Sequence, residues 1–235
     1  MLIHSLEKII YIFLILIVSI LLLVRVKECK FTILFLDDFN KNIETNACSN
    51  YNSKKHGYLV FNAIKTQIPK EICRKINIKL VDVVHNGNIN EKLVSKELIK
   101  ASNEKTDIIN MSFSSIENNK YIDYGIKYIS KRKTQTYLIS SAGNNFGMES
   151  LYPARLKSVI SIGSLTKQNE ISNMSAQKSV NYYIKGVHQN EDSTSLATGK
   201  FTGFLSRQII NNQCHDLVEY TKSNKIKLGD KKYEN

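Results

Sequence analysis

Three polar residues at the ends of apolar segments carry the chemistry open to this sequence. Asp37 closes Ile33-Leu34-Phe35-Leu36, His56 stands with Gly57 ahead of Tyr58-Leu59-Val60, and Ser195 sits in Ser193-Thr194-Ser195-Leu196-Ala197-Thr198. A serine hydroxyl is a weak nucleophile until a base takes its proton, and histidine titrates in the range that suits this task. A carboxylate can hold the imidazole in one tautomer and stabilise the imidazolium. Donors must then meet the developing oxyanion. Asn144, in Ser141-Ala142-Gly143-Asn144, offers a side-chain amide, and a serine at a helix N-terminus adds a backbone N–H. Each segment alone has a plainer reading: a turn aspartate, a surface histidine, a Ser/Thr-rich loop. Asp38 is the alternative carboxylate, and His85 and His188 have no comparable context.

The elements needed to position these residues follow from the apolar pattern. Residues 31–36 form a short buried strand, followed by a polar loop over 38–55. His56-Gly57 opens a helical pattern, and the helix dipole there is expected to disfavour the protonated imidazole. Strands are expected at 76–84, 107–112, 136–140 and 159–162, with helices over 89–103 and 119–131. Strands alternating with helices predict an α/β fold, a mostly parallel sheet with helices on both faces. In such sheets the site lies beyond the carboxyl ends of the strands, where Asp37, Ser112 and Asn144 fall. Residues 31–212 are read as one domain, with a basic, polar tail at 213–235 expected to be loosely ordered beyond about Tyr220.

In the order Asp, His, Ser the chain resembles a subtilase, a subtilisin-like serine peptidase, over residues 31–210. His56-Gly57 matches the family's His-Gly-Thr-x-Val, Ser193–Thr198 its Gly-Thr-Ser-Met-Ala-Thr-Pro, and Ser141–Asn144 its oxyanion-hole segment. Tyr152-Pro153-Ala154 followed by Val159-Ile160 matches a further block. The resemblance implies a subtilisin-like three-layer fold and a serine endopeptidase with Asp37, His56 and Ser195 as triad and Asn144 as oxyanion donor. It implies that Ser112, Phe113 and Ser114, with Ala142 and Gly143, bind an extended peptide, and that the Tyr152–Pro153 bond is cis. No cofactor and no metal are expected. The chain departs from the family at Phe39 and Ser193, where glycine is usual, at Tyr58 for threonine, at Ser114 for glycine and at Gly199 for proline. The departures at Phe39, Tyr58 and Ser193 keep a second reading open, a pseudoprotease that binds peptides without cutting them. No inhibitory pro-domain is expected between the apolar segment and the first strand.

Charge and the N-terminus bear on location and partners. Thirty-three basic residues against 21 acidic give a net charge of +12, which favours anionic partners, acidic peptides and membrane surfaces included. The basic residues are scattered and no nucleic-acid motif occurs, so a peptide or protein substrate is expected and nucleic acid is not. Residues 9–24 form an unbroken apolar run between Lys8 and Arg25. As a helix it rises about 24 Å, short of a roughly 30 Å hydrocarbon core, a gap that snorkelling basic flanks can bridge. A transmembrane anchor within residues 1–30 is favoured over a cleaved signal peptide, because residues 25–30 offer no small-x-small site. Orientation stays open: the charge count places the domain in the cytosol, whereas the family resemblance favours export. Cys29, Cys48, Cys73 and Cys214 match no metal motif and form up to two disulfides if the space is oxidising.

Overall fold

The computed structural model describes residues 31–132, 136–188, 191–211 and 227–228. The chain divides into two units, Met1–Lys30 and Phe31–Asn235, and the described residues all belong to the second. The run expected at 9–24 to enter a membrane, Cys29 and Cys214 lie outside the described residues. Among the described residues no helix is long and apolar enough to cross a membrane.

The central strand is β1 (Phe31–Asp37), which pairs in parallel with β3 (Ile76–Asp82) on one side and β6 (Ile108–Met111) on the other. Its near-continuous apolar character follows from burial of both faces. Alternation sends Phe31, Ile33 and Phe35 into one core and Leu34 and Leu36 into the other. Outward from β6 the sheet continues in parallel through β7 (Tyr137–Ser141), β8 (Ile160–Leu165) and β9 (Tyr182–Lys185). One core holds α1 (His56–Lys65), through Val60, Phe61 and Ile64, and α4 (Thr194–Ile210), through Phe201, Phe204 and Leu205. The opposite core holds α2 (Glu91–Asn103) and α3 (Lys120–Ser130), through Val94, Leu98, Ile122 and Ile126. This is the expected α/β arrangement of a parallel sheet between helical layers.

Several details differ from the sequence reading. The loop at 38–55 contains β2 (Ile43–Asn46), an antiparallel edge strand on β3, and β9 has no counterpart among the expected strands. The strand expected to reach Val84 ends at Asp82, and the chain turns into a hairpin of β4 (Val84–His85) and β5 (Asn88–Ile89) through Asn86 and Gly87, both at positive φ. A second small hairpin pairs β10 (Val187–His188) with β11 (Glu191–Asp192). In the tail, β12 (Lys227–Leu228) adds an antiparallel edge to β9, where the sequence points to loose order. Short edge strands bury little side chain, so their sequences carry a weak signal.

Candidate active site

Strand order reverses at β1: β3 follows it on one side and β6 on the other, so a crevice opens between the carboxyl ends of β1 and β6. Asp37 is the last residue of β1 and is buried. Its Oδ1 accepts from the Asp38 backbone N–H at 2.7 Å and lies 2.6 Å from His56 Nδ1. With Nδ1 turned to the carboxylate, Nε2 is the ring nitrogen left to accept a proton. The two side chains differ in exposure, 4% for Asp37 and 47% for His56, so the carboxylate is shielded while the imidazole faces the opening. Burial pushes the Asp37 carboxyl above its ordinary value, against the hydrogen bond and charge of His56. For His56, burial pulls the pKa down, but the hydrogen bond and charge of Asp37, with a smaller contribution from Asp38, outweigh it and leave the pKa raised. This corrects the expectation drawn from the helix dipole: a partial charge at a helix end is weaker than a full carboxylate at contact distance.

Ser195 is the second residue of α4, capped by Ser193, whose hydroxyl accepts from the Leu196 N–H. The family's glycine position is thus filled by an N-cap, for which serine is well suited. The Ser195 hydroxyl donates to the Ser112 carbonyl at 3.0 Å, and no hydrogen bond joins it to His56 among the described residues. Its backbone N–H, in the first turn, has no partner there either. Asn144 follows β7, and its Oδ1 accepts from both the backbone N–H and the hydroxyl of Thr194, each at 3.0 Å. Two donors on Oδ1 fix the amide orientation and leave Nδ2 as the outward donor.

The peptide-binding candidates lie on this same rim. Ser112 follows β6 and is buried, its hydroxyl donating to Asn110 Oδ1 at 2.7 Å. Phe113 is half-buried and Ser114 exposed. The segment is anchored just beyond, where Ser115 and Tyr152 exchange two backbone hydrogen bonds of 2.8 and 2.9 Å, and the Tyr152–Pro153 bond is cis as expected. Among the described residues no strand pairs with Ser112–Ser114. Ala142 and Gly143 are buried beneath Asn144, and Gly143 adopts φ +102° with Leu151 packed where a Cβ would stand.

Two supports escaped the sequence reading. Asn110, fully buried in β6, donates from Nδ2 to Thr202 Oγ1 at 2.7 Å while accepting from Ser112, and so ties the sheet to the serine helix. Only its polarity inside an apolar strand signalled it. Gly199 and Gly203 form the other: a Cβ at either would meet the carbonyl oxygen of Val60 at 2.7 Å or of Ile64 at 2.2 Å. Their spacing of four residues places both on one face of α4 and lets it lie against the backbone of α1, setting the serine helix against the histidine helix. Gly199, where the family commonly has proline, therefore has a packing reason.

No functionally curated protein matches the chain in sequence. Among solved structures, similar folds include the prenylagaramide maturation protease PagA (TM-score 0.60, 19% identity, covering 80% of this chain and 79% of that one). A lanthipeptide protease gives TM-score 0.61 at 18% identity, covering 79% and 75%. The epidermin leader peptide processing serine protease of Staphylococcus aureus gives 0.60 at 16%, covering 79% and 66%. At these identities the likeness is one of fold. The family model, by contrast, is a match in sequence: that of the subtilase family, peptidase S8, covers residues 35–207, and the chain belongs to the subtilase family.

Proposed function

We propose that the chain is a serine endopeptidase in which Ser195 attacks the substrate carbonyl, His56 takes its proton at Nε2 and Asp37 holds the imidazole. The observation that carries this reading is the 2.6 Å bond between exposed His56 and buried Asp37, at the crevice where Ser195 stands in the first turn of α4. Asn144 Nδ2 and the Ser195 N–H are the two donors for the oxyanion. The substrate adds as a strand along Ser112–Ser114, whose side is unpaired. Attack requires the serine hydroxyl to leave its acceptor, the Ser112 carbonyl, and turn to His56. Hydrogen bonds of this kind often form only in the Michaelis complex.

That same bond to Ser112 is what favours the rival reading, a pseudoprotease that holds peptides in the groove. A fluorophosphonate probe separates the two, since labelling needs an activated serine. We expect labelling of the wild type and none of Ser195→Ala. Ser195→Ala and His56→Ala should each lower kcat by about 10⁶-fold, with the double variant scarcely worse than either single one. Binding of peptide without labelling would leave the pseudoprotease reading standing.

Two of the similar folds are named for prenylagaramide maturation and for epidermin leader peptide processing. They support a leader-bearing peptide precursor as the substrate class, and a +12 chain favours acidic segments near the cleavage point. The Cys48–Cys73 disulfide supports a domain in an oxidising space, against the count of flanking charges. We place residues 9–24 in the membrane as an anchor. The protein should then resist extraction by high salt and dissolve in detergent. Release by salt alone would reduce the association to surface charge.

A further inference from the structure

The two motif positions at which the Asp37–His56 half departs from other subtilases, Phe39 and Tyr58, touch each other. Phe39 is fully buried two residues after Asp37, and Tyr58 is buried two residues after His56. Their rings meet edge to face with centroids 5.2 Å apart, and Phe39 meets Phe35 in the same manner at 5.0 Å. Tyr51 packs on the far side of Tyr58, at 5.1 Å. Between these rings and the catalytic bond the backbones also meet, the Gly57 N–H donating to the Asp38 carbonyl at 3.2 Å. Gly57 has no room for a side chain, since a Cβ would lie 2.6 Å from the Phe39 ring and 2.7 Å from the Asp38 carbonyl oxygen. On the outer side Lys55 Nζ reaches the Asp38 carboxylate at 2.9 Å. Residues 37–39 and 55–58 thus form a zipper whose successive rungs are an ion pair, the catalytic hydrogen bond, a backbone hydrogen bond and a ring pair.

We infer that Phe39 and Tyr58 are positioning residues, a matched pair that holds the His56 ring against Asp37 by fixing the separation of the two segments that carry them. Their role in turnover rests on the peptidase reading. The physical cause is volume. A side chain cannot be removed from a close-packed contact without the neighbouring backbone shifting or a void remaining. In this zipper the backbone that would shift carries a hydrogen bond of 2.6 Å, whose strength falls steeply as it lengthens or bends. Helix α1 has no side-chain cap, as Lys55 at its N-cap makes no capping bond. The rings and the Gly57–Asp38 backbone bond are therefore what brace the first turn behind His56. Because the two replacements contact each other, each makes the other necessary, and they act as a unit.

The test uses Phe39→Leu, Tyr58→Leu and both together, which keep apolar bulk while removing the ring contact. Each single variant should lower kcat about tenfold with KM within about twofold, and the double should be no worse than the weaker single. A second readout needs no turnover: the His56 imidazole titration followed by NMR. The charged groups that act on that ring are Asp37 and, more weakly, Asp38, which is paired with Lys55, and both carboxylates lie on the segment that the brace holds. Loosening it should lower the His56 pKa, because the Asp37 bond and charge are what raise it against burial. Gly57→Ala, a change that favours helix by propensity, should act in the same direction by forcing the segments apart. Unchanged kcat and unchanged His56 titration in both Leu variants, with only a lower Tm, would overturn the inference and leave the rings as ordinary core. Failure of the wild type to react with a fluorophosphonate would instead count against the peptidase reading, and the titration would still decide the brace.

Discussion

Asp37 and His56 are held from behind by aromatic rings, whereas Ser195 and Asn144 are held by hydrogen bonds among small polar side chains. Behind the first pair stand Phe35, Phe39, Tyr58 and Tyr51. Around the second stand Thr194 on Asn144, Ser193 on Leu196, and Asn110 joining Ser112 to Thr202. Rings fix a distance by occupying volume and are sensitive to size, while hydrogen bonds fix a direction and are sensitive to loss of one partner. Both halves depart from the family's motifs. On the serine side Ser193 is a helix cap and Gly199 a close backbone approach, whereas the Asp–His half has exchanged Phe39 and Tyr58, where volume is refilled by a different pair of side chains.

The sharpest break of this contrast is Asp37→Asn, which alters a charge and leaves the rings in place. Turnover should fall by about 10⁴-fold. The pH profile supplies the second measurement. His56 acts as a base only when neutral, so wild-type kcat/KM should rise with pH through the raised pKa of His56, above the ordinary 6.5. In Asp37→Asn the bond and charge that raise that pKa are lost while burial still lowers it, so the acidic limb must move to lower pH. A limb that stays in place would mean that another group sets it.

On the polar side Asn144→Leu removes one directional donor. Turnover should drop by about 10² to 10³-fold with KM little changed. A raised KM at constant turnover would make Asn144 a substrate contact rather than an oxyanion donor.

The remaining tests act on stability. The Cys48–Cys73 disulfide, with a separation of 25 residues, spans the loop that delivers His56 and helix α1. Replacing both cysteines by serine should cost about 3 kcal/mol by loop entropy, a drop in Tm of roughly 6–12 °C for a domain of this size. Reduction of the wild type should reproduce it, and an unmoved Tm would show that the rings and not the disulfide restrain the segment. Lys55→Ala carries the smallest expectation. The Lys55–Asp38 pair is partly exposed, at 44% and 24%, and such pairs contribute less than about 1 kcal/mol. A larger loss, or one that persists in high salt, would place the outer rung of the zipper among its principal supports.

Much of the molecule was readable along the chain. A buried strand ending in a carboxylate, a His-Gly at a helix start and a serine at the head of an apolar helix each leave a local mark. Periodicity and turn residues report on what neighbours in sequence do. The contacts that bring these pieces together left fainter traces. Asn110 looked like an oddity in an apolar strand until Thr202 and Ser112 closed around it. Ser193 and Gly199 read as departures from a motif, and the fold makes one a helix cap and the other a close approach to Val60. The short edge strands β2 and β12 escaped because pairing at a sheet edge depends on a partner distant in sequence.

By itself the sequence determined the residue types of the site, their order, the alternation of strand and helix, and the family. It could do so because those properties are encoded within runs of a few residues. Only the tertiary structure decided which way the His56 pKa moves, since a carboxylate 19 residues away outweighs the local helix dipole. It alone paired Cys48 with Cys73, and it alone brought Phe39 and Tyr58 together as one packed contact. Each of these depends on distance in space, and neither composition nor spacing along the chain fixes that distance until the core has closed.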